Sequence, residues 1–234
     1  MIRLYRCIPM DYEECLQLQR RLNQERNDGT IGDTIIATEH SDTYTGGIHF
    51  KQENATNYSV PILRVERGGN LTYHGKGQLV LYFVFNLKER GINVRDLIEQ
   101  VQTALNMTLL SYGLESKGRL FKETGVWVGD KKICSIGFAV KGFSTFHGIA
   151  VNLNTELSKF FKINPCDMDA GVMTSLAKET GHKIDEMEFL EKMTDYLSKV
   201  FEEGIGMEEC VNSDILSQLK QGASRFNDRS CHCW

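Results

Sequence analysis

Proline is scarce. Three prolines in 234 residues leave no proline-rich linker, and no internal repeat or low-complexity tract marks a seam between domains. Long apolar runs are missing too: no stretch reaches the roughly 18 uncharged apolar residues of a membrane-spanning helix, so no membrane association is expected. The opening MIRLYRCIPMDYEE turns acidic before any apolar run develops, unlike a secretory signal. The spacings H-E-x-x-H, C-x-x-C, EF-hand and G-x-S-x-G do not occur, so no metal is expected. An excess of positive charge is also absent. Lys and Arg number 27 against 31 Asp and Glu, a net charge of -4, which argues against a nucleic-acid partner but leaves room for a local basic patch.

What is present is the balance of an ordinary globular protein, 41% hydrophobic and 25% charged. The length suffices for a sizeable core, and a single domain over residues 1–234 is expected. Seven cysteines (Cys7, Cys15, Cys134, Cys166, Cys210, Cys231 and Cys233) are an odd number and widely scattered. That usage favours reduced thiols and a cytoplasmic location.

Periodicity predicts a helix with Tyr12, Cys15, Leu16, Gln19 and Leu22 on one face, Asp11 as cap and Gly29 as stop. A buried strand is expected over Thr34 to Thr38, then a long loop over Ser41 to Ser59. Strands follow at Ile62 to Val65 and Gln78 to Leu87, the second too continuously apolar to have one wet face. Helices are predicted over Asn93 to Tyr112, Met168 to Lys178 and Asp185 to Phe201. Two strands should meet at a Gly129-Asp130 hairpin, and another should run from Thr145 to Leu153. The tail, residues 222–234, reads as irregular. The fold class is therefore α/β (α+β), a mixed sheet with flanking helices.

Chemistry concentrates in few places. The segment Arg67-Gly68-Gly69-Asn70-Leu71-Thr72-Tyr73-His74-Gly75-Lys76-Gly77-Gln78 carries four glycines between two apolar strands, which allows backbone N-H groups to approach a ligand. A ligand-free glycine turn is the alternative, and the spacing is not that of a Walker loop. Cys166 follows Pro165 at the expected start of a helix, where the macrodipole favours a thiolate, although a small buried thiol is the simpler reading. Lys132 is a candidate cation for it. His40, His74 and His147 are candidates that also suit satisfied core histidines. Cys231-His232-Cys233 cannot complete a tetrahedral metal set alone.

Five ordered segments together resemble the lipoyl(octanoyl) transferase family, also called lipoate-protein ligase B: Glu39-His40, RGGNLTYHGKGQ from Arg67, GVWVGDKKICSIG from Gly125, FHGIAVNLN from Phe146, and INPC from Ile163. The resemblance covers about residues 1–180. It implies a biotin/lipoate protein ligase-like fold and transfer of an octanoyl group from octanoyl-acyl carrier protein to a lysine of lipoyl domains of 2-oxoacid dehydrogenases or of the glycine-cleavage H protein. It also implies Cys166 as the acyl-thioester nucleophile, Lys132 as the residue lowering its pKa, and a monomer without cofactor. Substrate contacts are implied for Arg67, Gly68, Gly69, Asn70, Leu71, Thr72, Tyr73 and His74, for Ser135, Ile136 and Gly137, and for Gly148, Ile149 and Ala150. The family usually has Pro where Lys76 stands and Gly where Asp167 stands. An acidic carrier would need a basic docking cluster, for which Lys117, Arg119, Lys122, Lys131 and Lys141 are candidates. Two other readings stay open: an ATP-dependent lipoate or biotin ligase of the same fold, and a non-catalytic acyl or carrier-binding module.

Overall fold

The structure is a computed structural model, and it describes residues 1–51, 58–121, 124–163 and 170–210. An eight-stranded mixed sheet dominates it. In spatial order its strands are β11 (Ile205–Glu209), β1 (Ile2–Arg6), β2 (Thr34–Thr38), β6 (Gln78–Val84), β10 (Ser144–Asn152), β9 (Lys131–Lys141), β8 (Gly125–Val128) and β7 (Lys117–Arg119). The β11-β1-β2 pairs are parallel and all others in this sheet antiparallel. A second sheet of three short strands runs β4 (Ile62–Arg64), β3 (Thr43–Gly46), β5 (Leu71–His74). The described helices are α1 (Tyr12–Asn27), α2 (Leu87–Arg90), α3 (Val94–Leu110), α4 (Leu176–Thr180) and α5 (Glu186–Phe201). None is long and apolar enough to cross a membrane.

The continuous burial of QLVLYFV in β6 has a plain cause: both faces are covered. Val80, Tyr82 and Val84 pack with Cys15 and Leu22 of α1, while Leu79, Leu81 and Phe83 pack with residues of α3 and α5. Helix starts follow capping chemistry. Asp11 accepts from the N-H groups of Glu13 and Glu14, and Asn93 and Asp96 form a reciprocal capping box. Gly129 and Gly142 take left-handed φ values of 55° and 65° at the tips of the two hairpins.

Several elements differ from the sequence expectation. The long loop contains β3, and the glycine-rich segment contains β5; paired antiparallel, they build most of the small sheet. β1, β7 and β11 were not anticipated. Of the predicted helix from Met168 to Lys178, only Leu176 to Lys178 is α-helical among the described residues: a 3-10 turn spans Ala170–Val172, Met173 bridges to Lys132, and α4 starts at Leu176 with Ser175 as cap. The Thr174 N-H donates to the Lys132 carbonyl at 3.0 Å, so strand-like pairing wins over helix here. Residues 222–234 lie outside the described part.

One buried carboxylate ties three elements together. Asp33, 9% exposed, accepts from Arg26 Nε at 2.7 Å, from the Asn86 N-H at 3.0 Å and from Arg90. Arg26 continues to Glu89 at 2.6 Å, and the Arg90 guanidinium lies over the Phe85 ring.

Candidate active site

A cavity of about 930 Å³ opens against the middle of the large sheet, inside the usual range for small-molecule sites. One wall is the chain from Arg67 to Asn70, continued by Thr72 and His74 of β5. The facing wall is Ser135 to Phe138 of β9 with His147 to Ala150 of β10. Tyr12, His49, Val80, Tyr82, Val94, Ile98, Phe121, Thr124 and Lys132 complete it. Most residues singled out from the sequence therefore share one cavity. Leu71 and Tyr73 do not line it. Strand alternation turns them to the other side of β5, where they pack with Tyr44, Phe50 and Phe160. His40 also stands outside the lining.

The walls come close because a side chain is missing between them. A Cβ at Gly137 would stand 2.9 Å from the Gly68 carbonyl oxygen, and the Gly68 N-H donates to Phe138 O at 3.0 Å. Arg67 is buried, and its guanidinium is fixed by the Thr45 carbonyl and hydroxyl, each at 2.8 Å, and by Gly68 O at 3.0 Å. Tyr12, read from sequence only as a helix-face residue, lines the cavity, and burial pushes its phenol up to about 12. Val94 and Ile98 are an i, i+4 pair at the edge of the apolar face of α3, a signal that sequence reasoning passed over.

His40 and His74 are neutral and held. His40 Nδ1 meets the Met10 carbonyl at 2.7 Å and Nε2 meets the Tyr82 hydroxyl at 2.8 Å. A carbonyl can only accept, so Nδ1 carries the proton and the Tyr82 hydroxyl donates to Nε2. Burial pushes His40 down to about 4. His74 meets Gln78 Oε1 at 2.9 Å, and burial, then the neighbouring His40, push it well down. Because the folded pKa of His40 lies below the ordinary 6.5, the unfolded chain takes up a proton that the folded one refuses. Stability should therefore decline as pH falls from 6.5 towards 4, by up to about 3 kcal/mol from this residue. Urea unfolding at pH 7, 5.5 and 4 measures this; an unchanged midpoint would contradict the assignment.

Lys132 is buried, lines the cavity, and has its Nζ 5.6 Å from the centre of the Trp127 ring. Cys166 and Asp167 lie outside the described residues. The chain that follows them is anchored on Lys132 through Met173 and Thr174, and Lys131 Nζ donates to Gly171 O at 2.8 Å. The helix expected to begin at the cysteine is replaced, among the described residues, by α4, whose first residue is ten positions further on. The Lys178 N-H in the first turn of α4 donates to the Ser175 hydroxyl at 3.3 Å. Two other thiols are quiet: burial pushes Cys15 and Cys134 up to about 12.

The proposed basic cluster is divided. Lys117 and Lys131 are exposed beside Arg119, whose guanidinium donates to Gly129 O at 2.9 Å and lies over Trp127. Lys141 is at the opposite end of the eleven-residue β9, about 33 Å away at the rise of a strand. Lys122 and Cys231-His232-Cys233 lie outside the described residues. Among the described residues, no group of three or more His, Cys, Asp or Glu side chains is placed to hold a metal.

The sequence profile of the lipoyl protein ligase A/B catalytic domain matches residues 11–198. The chain belongs to this family. It is 46% identical over 194 residues to the probable octanoyltransferase 2 of Picrophilus torridus, covering 83% of this chain and 77% of that one. It is 36% identical to the octanoyltransferase of Caldicellulosiruptor saccharolyticus, covering 82% and 85%. The lipoyl protein ligase A/B chain described here is thus an enzyme of the transferase class. Its fold is similar to the bi-partite lipoate protein ligase of Thermoplasma acidophilum, with a TM-score of 0.65 at 15% identity over 97% of this chain and 92% of that one.

Proposed function

We propose that the chain moves an octanoyl group from octanoyl-acyl carrier protein to the acceptor lysine of lipoyl domains or of the glycine-cleavage H protein, acting as a single-domain, monomeric cytoplasmic enzyme. The Cys166 thiolate attacks the carrier thioester, forming an acyl-Cys166 thioester and releasing the carrier thiol. The acceptor lysine then attacks that thioester, an amide forms and Cys166 is freed. A free thiol titrates near 8.5, so an adjacent ammonium is needed to hold the thiolate at neutral pH, and Lys132 takes that part. Once the amine attacks, Lys132 also relays its proton.

The observation that carries this reading is the buried Lys132 at the cavity, with the chain after Cys166 pinned to its backbone at Met173 and Thr174. Relatives named octanoyltransferase support the acyl group, and the glycine-walled cavity suits an unbranched chain. Burying eight carbons is worth about 0.8 kcal/mol per methylene.

Incubation with octanoyl carrier protein should add one octanoyl mass to the intact protein, removable by hydroxylamine. No adduct under trapping conditions would count against the covalent route, and activity with free octanoate plus ATP alone would favour the ligase reading. Gly125 adds a separate check. A Cβ there would stand 2.6 Å from Lys132 Cε and collide with the Cys134 carbonyl. Gly125→Ala should displace the ammonium and slow transfer by about 100-fold, as misplacing a catalytic group by 1 Å does. Single-turnover rates would register it; an unaltered rate would remove Lys132 from the chemistry.

A further inference from the structure

His147 is the least explained side chain at the cavity. It is 1% exposed and sits within β10 at a φ of 60°, a left-handed value uncommon for a residue with a side chain. Its backbone N-H donates to Gln19 Oε1 of α1 at 2.9 Å, and the ladder to β6 starts one residue later, at the Gly148–Tyr82 pair. Both ring nitrogens are buried without a hydrogen-bond partner among the described residues. A buried donor and acceptor left this way call for an explanation.

Glu66 supplies one. Its Oε2 stands 3.7 Å from His147 Nε2, just beyond hydrogen-bond length, while Arg20 holds Oε1 at 2.6 Å. The nearby imidazole first, then the Glu66 backbone and Arg20, keep the Glu66 carboxyl down at about 2, and burial keeps His147 neutral. A closure of less than about 1 Å would turn the approach into an N-H to carboxylate hydrogen bond. The positions in the chain matter as much as the distance. Glu66 immediately precedes the wall Arg67 to Asn70, and His147 is the first residue of the β10 part of the facing wall, His147 to Ala150.

We propose that Glu66 and His147 are positioning residues: a strut that closes when an acyl chain fills the cavity and fixes the spacing of its two walls, so that slender chains are preferred to bulky ones. The strut rests on the acyl-transfer reading given above. Neither residue touches the reacting atoms; both act through the backbone that follows them.

Glu66 is 44% exposed, so its replacement leaves the core intact. With octanoyl carrier protein, Glu66→Ala should raise KM about tenfold at nearly unchanged kcat, the effect of losing one hydrogen bond to a charged group. The preference for octanoyl over 4-phenylbutanoyl carrier protein should fall by a similar factor. Glu66→Gln, which keeps an oxygen for the imidazole N-H, should restore both. Hydrogen exchange of the 67–70 and 148–150 amides should slow on octanoate binding in the wild type and not in Glu66→Ala. A fall in kcat at constant KM, or an unaltered preference, overturns the strut. If the wild type transfers neither acyl group, the reading of the reaction fails and exchange alone decides: protection in the wild type that is lost in Glu66→Ala supports the strut, and identical exchange overturns it.

Discussion

Cys166→Ala is expected to abolish the octanoyl adduct and to slow transfer by at least about 10⁴-fold, on the scale seen when a covalent nucleophile is removed. The size follows from the route. Without the thiol, the acceptor amine must reach a thioester still attached to the carrier protein, and two macromolecules must then share one cavity mouth. Cys166→Ser should do no better, because a hydroxyl titrates far above a thiol and an ammonium at Lys132 cannot ionise it at neutral pH. Circular dichroism and thermal unfolding should match the wild type, separating lost chemistry from lost fold. The measurement is a carrier-protein transfer assay beside intact mass spectrometry. A variant retaining more than about a tenth of the wild-type rate would point to direct attack by lysine on the carrier thioester, because loss of a true nucleophile is far costlier.

Asp33→Ala should produce the largest loss of stability, about 3 to 5 kcal/mol, the range for breaking a buried ion pair by removing one partner. Two guanidinium groups converge on this carboxylate, from the last turn of α1 and from α2, and the Asn86 N-H that enters α2 also depends on it. Its removal leaves Arg26 with only Glu89, and Arg90 with Glu203 at 2.8 Å. The melting temperature should fall by about 10 °C, given the usual scaling for a chain of this size. Asp33→Asn, which keeps one acceptor but not the charge, should fall between. A shift of less than about 2 °C for the alanine variant would mean that the arginines find water or other partners cheaply.

Where the sequence was legible, one force dominated. β6 announced itself because both its faces are covered, and α1, α3 and α5 because each buries a single stripe. β1, β7 and β11 were hidden because β7 and β11 are the two edge strands of the sheet and β1 lies next to β11, and such short segments carry charged residues that break the apolar pattern, as in IRLYR, KGR and IGMEE. The stretch LTYH looked like glycine-rich loop because its strand character comes from pairing with β3, not from its own composition. The site was legible in a similar way. Arg67 to Asn70, Ser135 to Gly137 and Gly148 to Ala150 were visible as motifs and meet at one cavity. That Leu71 and Tyr73 face away follows from alternation once β5 is known as a strand. The cation at Lys132 was visible, whereas its burial against Trp127 and the space left for it by Gly125 are tertiary facts. The left-handed backbone of His147 leaves no trace in composition at all.

The parallel pair of β1 and β11 joins residues 203 positions apart, and both strands lie outside the segment matched by the family profile. During synthesis β1 can settle on β2 early, but one of its edges must stay open until residues 205–209 have been made. β1 is therefore among the last strands to be covered on both sides, and an interrupted translation product would present β1, whose Ile2, Leu4 and Tyr5 are buried in the finished fold, as the sheet edge in place of β11.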